Sequence, residues 1–359
     1  MLKCCARGRE TAINQMDTLA FVPILVVGFA ASLGLTPLSR ALALRLGVVA
    51  IPSQRNIHKD YKPLMGGMAM FLAFAVALLL FSPPTYVAEL LIVIGGAAFL
   101  ATVGLIDDRY DLGIRIRLIA QALTGFVMAL AGIRIELFGT PFLDVPLTVF
   151  WVCAITNAIN FLDNMDGLAA GLTGIAGIWF TIIAFNEGLE LVSILAAALA
   201  GSAIGFLIYN FSPASSFMGD MGSLVLGFVL AALGIKLEFG EQPLGVTWMV
   251  PILVLALPVL DINLIVLTRF LEHRPIGQGG KDHCSHRLMA MGLSQRQTLF
   301  VLYAFCALYG GLAFVVSTAP VQIALIVGIA GLLGMAAFFL FLMAVRRKYQ
   351  LAPKPASSP

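Results

Sequence analysis

The sequence predicts an all-α, polytopic membrane protein with about eleven transmembrane helices. Of its 359 residues 60% are hydrophobic and only 11% are charged, and the mean hydropathy is +0.97. A water-soluble domain has too little interior to hide that share of apolar side chains. The apolar runs are continuous, without the period-2 alternation of a membrane barrel strand, so each reads as a helix.

Apolar stretches near residues 18–39, 64–82, 88–106, 116–133, 147–161, 169–185, 190–209, 222–239, 247–268, 297–317 and 320–345 are the expected spans. The run at 147–161 is short for a crossing of about 20 residues. The first run is too long for a signal-peptide core and lacks a small-residue cleavage site, so it counts as a span. Met16 stands directly before it, and residues 1–16 are expected to be an N-terminal extension from an upstream start. Residues 17–346 then form a single transmembrane domain and 347–359 a tail. The five cysteines suggest no disulfide framework.

Loop charge sets the expected orientation. Of 22 basic residues, 17 fall in one set of alternate loops, including Arg40, Arg109, Arg115, Arg117, Arg274 and Arg346. The positive-inside rule places that set in the cytoplasm, the N-terminus outside and the C-terminus inside. All five polar clusters of the chain then share the cytoplasmic face, which points to one site. Ionisable groups at a membrane are expensive to keep without a role.

The clusters carry recognisable chemistry. Asp107, Asp108 and Asp111 follow the third span, and adjacent carboxylates suit a hard cation such as Mg2+, with Mn2+ as a substitute, or a proton acceptor. Asn157, Asn160, Asp163 and Asp166 repeat a three-residue spacing, so each pair shares a face if the turn is helical. Phe217, Gly219, Asp220, Gly222 and Ser223 open the eighth span, where free N–H groups favour an anion. Asp220 fits a phosphate there only if a cation accompanies it. Asp282, His283, His286 and Arg287 lie in a late loop whose spacing matches no closed four-ligand zinc site. Arg55, His58, Lys59 and Lys62 precede Pro63 and the Gly66-Gly67 pair.

Together these residues resemble the polyprenyl-phosphate N-acetylhexosamine-1-phosphate transferases. The resemblance runs from about Arg55 to Leu293, in order, through Arg55-x-x-His58, Lys62-Pro63, Asp107-Asp108, Asn157-x-x-Asn160-Phe-x-Asp163-x-x-Asp166-Gly, Phe217-Met-Gly-Asp220-x-Gly-Ser223 and His283-x-x-His286-Arg287. It implies transfer of a sugar 1-phosphate from a UDP-sugar donor to a polyprenyl phosphate such as undecaprenyl phosphate, with release of UMP. It also implies Mg2+, a plasma-membrane location and a cleft facing the cytoplasm. Asp220 maps to the metal-binding aspartate, with Asn160 beside it. Asp107, Asp108, Asp163, Asp166, His283 and His286 map to catalytic positions, and Lys62, Asn157, Asn160, Phe217 and Arg287 to substrate-binding ones. A homodimer is an expected assembly, and no nucleic-acid partner is expected.

The late loop has His-Cys-Ser-His-Arg instead of three consecutive histidines, which resembles the N-acetylglucosamine branch more than the peptidoglycan phospho-N-acetylmuramoyl-pentapeptide branch. Asn164 departs from the pattern, since many members have glycine there. Two other classes fit the sequence less well. A secondary transporter would place its polar groups near the bilayer midplane, where only Asp261 lies. A CDP-alcohol phosphotransferase would need a signature that does not follow Asp166-Gly167.

Overall fold

The computed structural model describes residues 21–50, 62–240, 242–275, 280 and 282–349. The proposed extension at 1–16 lies outside the described residues, as do Arg55, His58 and Lys59. The rest is an α-helical bundle with one two-stranded ribbon, β1 (Val49–Ala50) paired antiparallel with β2 (Lys62–Pro63).

The helices, in chain order, are α1 (Phe21–Leu46), α2 (Gly66–Phe81), α3 (Val87–Tyr110), α4 (Ile114–Leu130), α5 (Pro141–Leu162), α6 (Leu168–Asn186), α7 (Glu190–Asn210) and α8 (Gly219–Lys236). The short α9 (Leu244–Thr247) and α10 (Met249–Val254) lead into α11 (Ala256–Leu271) and α12 (Cys284–Ala290). Two long helices, α13 (Gln295–Thr318) and α14 (Val321–Lys348), end the described chain. Among the described residues eight helices are long and apolar enough to cross a membrane, or nine if the bent pair Leu244–Val254 and Ala256–Leu271 is one span. The expected spans near 64–82 and 116–133 fold as helices of only 16 and 17 residues. The architecture is that of a multi-pass, all-α membrane protein.

Two spans differ in shape from the expectation. The short run at 147–161 belongs to a 22-residue helix that begins at Pro141. Proline suits a first helical turn, and Asp144, 1% exposed, accepts hydrogen bonds from the backbone N–H groups of Leu137 and Phe138. A buried acid of this kind reads as loop in a hydropathy scan. The run at 247–268 is broken by a 79° bend. The break sits at Leu255, where Pro258 can neither donate to the carbonyl of Val254 nor pack against it without a clash.

The centre of the bundle is α6, α7 and α8. In α7, 83% of the apolar window is buried, against 17% in α14. The reason is composition: α7 runs through Ala196–Ala198, Ala200, Gly201, Ser202, Ala203 and Gly205. Small residues let helix backbones approach closely without a water-driven hydrophobic term. A Cβ on Gly201 would sit 2.2 Å from the carbonyl oxygen of Leu25, so α1 and α7 touch backbone to backbone.

Candidate active site

The site is built around the first turn of α8. Gly219 has φ +70°, and a Cβ there would lie 2.3 Å from an Asp108 oxygen, so only glycine lets that carboxylate reach the backbone. Asp108, in the last turn of α3, accepts from the N–H of Asp220 at 2.8 Å and of Met221 at 3.2 Å. It thereby satisfies two of the donors that every helix start leaves open.

Asp220 projects from this fixed turn, and both of its oxygens are engaged. Asn160 donates its amide N–H to one at 2.6 Å and to the Ser223 hydroxyl at 2.8 Å. Arg117, in the first turn of α4, donates to the other at 2.7 Å and to Asp107 at 2.8 Å with the same nitrogen. The second oxygen of Asp107 is buried with no hydrogen-bond partner. Asp163 lies just past the end of α5. Its shielding from water, reinforced by the negative charges of Asp220, Asp108 and Asp166, pushes its carboxyl well above the usual carboxylate range.

Four carboxyl groups, Asp107, Asp108, Asp163 and Asp220, thus crowd one place, and Arg117 pairs with only two of them, Asp107 and Asp220, an excess of acid that a divalent cation would offset. Among the described residues no three His, Cys, Asp or Glu side chains form a ready-made metal cage. That pattern still suits Mg2+, which takes one or two carboxylates and completes its shell with water and phosphate oxygens. Asp220 and the unpartnered oxygen of Asp107 are the groups able to hold it. Asn160 turns its amide nitrogen, the donor side, toward Asp220, which makes it an orienting group for that carboxylate in this arrangement.

The remaining predicted residues frame this centre. Asp166 accepts from the N–H of Ala214 at 2.9 Å, and Asn210 accepts from Gly167 and donates to Ser216, so the 163–167 turn is tied to the 212–217 loop. Phe217 donates its N–H to Pro63 and accepts from Gly66, which brings the Lys62 ribbon against the same loop. Asn157 lies one turn deeper in α5 and bonds to Gln121 and to the carbonyl of Cys153.

The late loop joins through Asn164, whose side-chain oxygen accepts from the Ser285 hydroxyl at 2.7 Å. Ser285 also lies 3.4 Å from Nδ1 of His286, and the His283 and His286 rings are 5.7 Å apart. Phe161 meets the His283 ring edge-on at 6.4 Å. Both histidines therefore stand beside the acidic turn.

Arg287 does not. It is fully buried, and its guanidinium donates to the carbonyls of Asp282 and Leu342 and to the Thr268 hydroxyl, fastening the loop to α11 and α14. In this arrangement every side of the head group is occupied by protein. Asp282 is likewise internal, held by Arg269, Arg274 and Arg346 at 3.1, 2.8 and 2.7 Å. Burial alone would raise its carboxyl, but hydrogen bonds from Arg274 and Arg269 and the charge of Arg346 outweigh it and bring the group down to about 2.

Sequence reasoning overlooked two residues at the site. Arg117 was counted only among the topology-setting charges, although its position one turn into a span, opposite an aspartate pair, was a readable signal. Asp261 stood out only as a lone acid in an apolar run, and nothing in the sequence connects it to His283.

Residues 90–238 match the family described as glycosyl transferase family 4. The chain is 33% identical to a probable undecaprenyl-phosphate N-acetylglucosaminyl 1-phosphate transferase of Bacillus subtilis (strain 168), over 86% of this chain and 88% of that relative. It is 30% identical to a decaprenyl-phosphate N-acetylglucosaminephosphotransferase of Mycobacterium tuberculosis (strain ATCC 25618 / H37Rv), over 84% and 83% of the two chains. A phospho-N-acetylmuramoyl-pentapeptide-transferase of Clostridium botulinum (strain Alaska E43 / Type E3) is 34% identical, over 63% of this chain and 76% of its own.

Proposed function

The chain belongs to glycosyl transferase family 4, and we propose that it moves N-acetylglucosamine 1-phosphate from UDP-N-acetylglucosamine onto a polyprenyl phosphate, releasing UMP. The observation that carries this reading is the meeting of the Asp107-Asp108 pair, Arg117, Asn160 and Asp220 at one helix start, from four separate stretches of chain. Relatives named for N-acetylglucosamine span more of this chain than the pentapeptide-transferase does, which supports the choice of sugar.

Phosphoryl transfer of this kind rests on positioning and charge neutralisation. The acceptor is a phosphate monoester with a second pKa of about 6, so it is mostly dianionic near pH 7 and needs no strong base. Asp108 has both oxygens committed to the α8 backbone and serves to fix Asp220. Asp107, with one oxygen unpartnered, is better placed to orient the acceptor or take its residual proton. Asp163 holds its proton more readily than an ordinary carboxylate and so can donate a hydrogen bond to a phosphate oxygen. Mg2+, when bound at Asp220, would neutralise the diphosphate and the departing UMP. His283 and His286 are the imidazoles that border the acidic turn on its other side.

The site face is assigned to the cytoplasm, because 17 of the 22 basic residues fall in loops on that side. Eleven crossings would require the shorter α2 and α4 to span and the bent α9–α11 segment to count once. Purified protein, supplied with undecaprenyl phosphate and a panel of UDP-sugars, tests the reaction. UMP release is expected with UDP-N-acetylglucosamine. Turnover of the muramoyl-pentapeptide nucleotide alone would move the chain to the peptidoglycan branch, and no UMP with any sugar would refute the reaction.

A further inference from the structure

Asp261 is a carboxylate inside an apolar helix, fully buried, and both of its oxygens are used. One accepts from the backbone N–H of Cys284 at 2.7 Å, and the other lies 2.9 Å from Nδ1 of His283. A buried carboxylate needs such partners, since an uncompensated charge there is strongly destabilising. The pairing also has a consequence for the ring. A carboxylate has no proton to give, so Nδ1 must carry one, and the nitrogen on the opposite side of the imidazole, Nε2, is left to meet a ligand. The ring is held laterally as well, by the edge of Phe161 and by His286. Phe161 directly follows Asn160, the residue that grips Asp220, so the oriented imidazole and the acidic centre are anchored to the same helix end.

We propose that Asp261 is a positioning residue, which fixes His283 in the Nδ1–H form and presents its Nε2, as a hydrogen-bond acceptor, to an O–H or N–H of the sugar being transferred. The proposal rests on the phosphotransfer reading given above. A purely structural role, in which Asp261 only pins the loop through the Cys284 N–H, makes a different prediction. Asp261→Asn separates the two. The amide oxygen can keep the Cys284 bond, while the amide N–H2 then faces His283 and forces Nδ1 to act as acceptor. Volume and loop anchor survive, but the ring proton moves to Nε2.

Nitrogen-15 spectra of histidine-labelled protein at pH 8 read this directly. The chain has only four histidines, His58, His273, His283 and His286, and the His283 signals are assigned by their loss in His283→Gln. The wild type should show a proton on Nδ1 of His283, and Asp261→Asn should show it on Nε2. Turnover should fall by a factor on the order of 10² or more, as when a histidine's orienting carboxylate is neutralised elsewhere, with KM for the UDP-sugar within about threefold. Adding His283→Gln to Asp261→Asn should lower turnover by less than about threefold further, because the two act as one unit. A wild-type His283 with a bare Nδ1 would overturn the proposal, and that measurement stands even if the variant fails to fold. So would full turnover in Asp261→Asn with a reversed tautomer, or single effects that simply multiply. If the wild type releases no UMP with any UDP-sugar, the reaction assignment fails, while the spectra still decide the Asp261–His283 pairing.

Discussion

Asp108 binds the backbone N–H of Asp220 across a sequence separation of 112, at 2.8 Å, and a second bond to Met221 makes the grip two-pronged. One carboxylate therefore fixes the helix start from which another is aimed. Removing the cap by Asp108→Ala should destabilise the protein by about 0.5–2 kcal/mol, the usual cost of losing an N-cap side chain. Asp108→Asn should fall between, because an amide has one acceptor oxygen for two N–H groups. Thermal unfolding in detergent measures this, and an unchanged midpoint in Asp108→Ala would mean the two bonds hold nothing.

Asp220→Asn tests the other end of that relationship. The amide keeps the shape of the side chain but removes the charge expected to hold Mg2+. Turnover should drop by about 10²–10³, the common loss for one charge-stabilising group, while the protein stays folded and membrane-inserted. Near-normal turnover with an unchanged Mg2+ requirement would dismiss Asp220 as the metal residue.

Arg117 makes a prediction of opposite sign for the metal. Its guanidinium sits between Asp107 and Asp220 and competes with any cation for both. Arg117→Ala should lower the Mg2+ concentration giving half-maximal activity, because two carboxylates lose their counter-charge. It should also lower maximal turnover by about tenfold or more, since the two groups are no longer held apart in a fixed geometry. A Mg2+ titration decides it. A higher half-saturating concentration would instead make Arg117 part of the scaffold that assembles the cation site.

The contrast between Arg117 and Arg287 shows what the sequence could reveal and what it could not. The acidic residues at 107–108, 160–166 and 220 were legible because charge is scarce in this chain, and scarcity makes each cluster conspicuous. Basic residues were not, because loop arginines serve topology by default. Arg287 looked available in a loop motif, yet it is swallowed by α11 and α14, whose contribution comes from residues 268 and 342. Asp261 and His283 are 22 positions apart in different elements, so no local spacing announces the pair. The bend at Leu255 was half visible in Pro251 and Pro258, but helix length alone favoured one straight span.

The shared face of the clusters is itself testable. Arg115 and Pro275 are exposed, the first in the opening turn of α4 and the second just after α11. Single cysteines at these positions should react in intact cells only with reagents that cross the membrane. Labelling of either by an impermeant reagent would place that loop outside and break the cytoplasmic assignment.

Asp163 gives a pH-dependent outcome whose sign follows from its environment. Its carboxyl is raised well above 3.8 by shielding from water and by Asp220, Asp108 and Asp166. The folded protein therefore binds a proton there that the unfolded chain has already released over the interval between 3.8 and the raised folded value. The stabilising linkage is complete below the unfolded value and is lost as pH rises through the folded one, where the charged form must be accommodated beside three other carboxylates. Asp163→Asn removes that cost. In buffer without divalent cations the variant should unfold at a higher temperature than wild type at pH 8, and the advantage should shrink to nothing as pH approaches about 4. Adding Mg2+ should reduce the advantage at pH 8, because a cation at Asp220 would offset the same repulsion. Thermal unfolding across pH, with and without Mg2+, reads all three. A variant less stable than wild type at pH 8 would mean that Asp163 is held as a partnered carboxylate, and the crowding of negative charge at this helix end would need another counterweight.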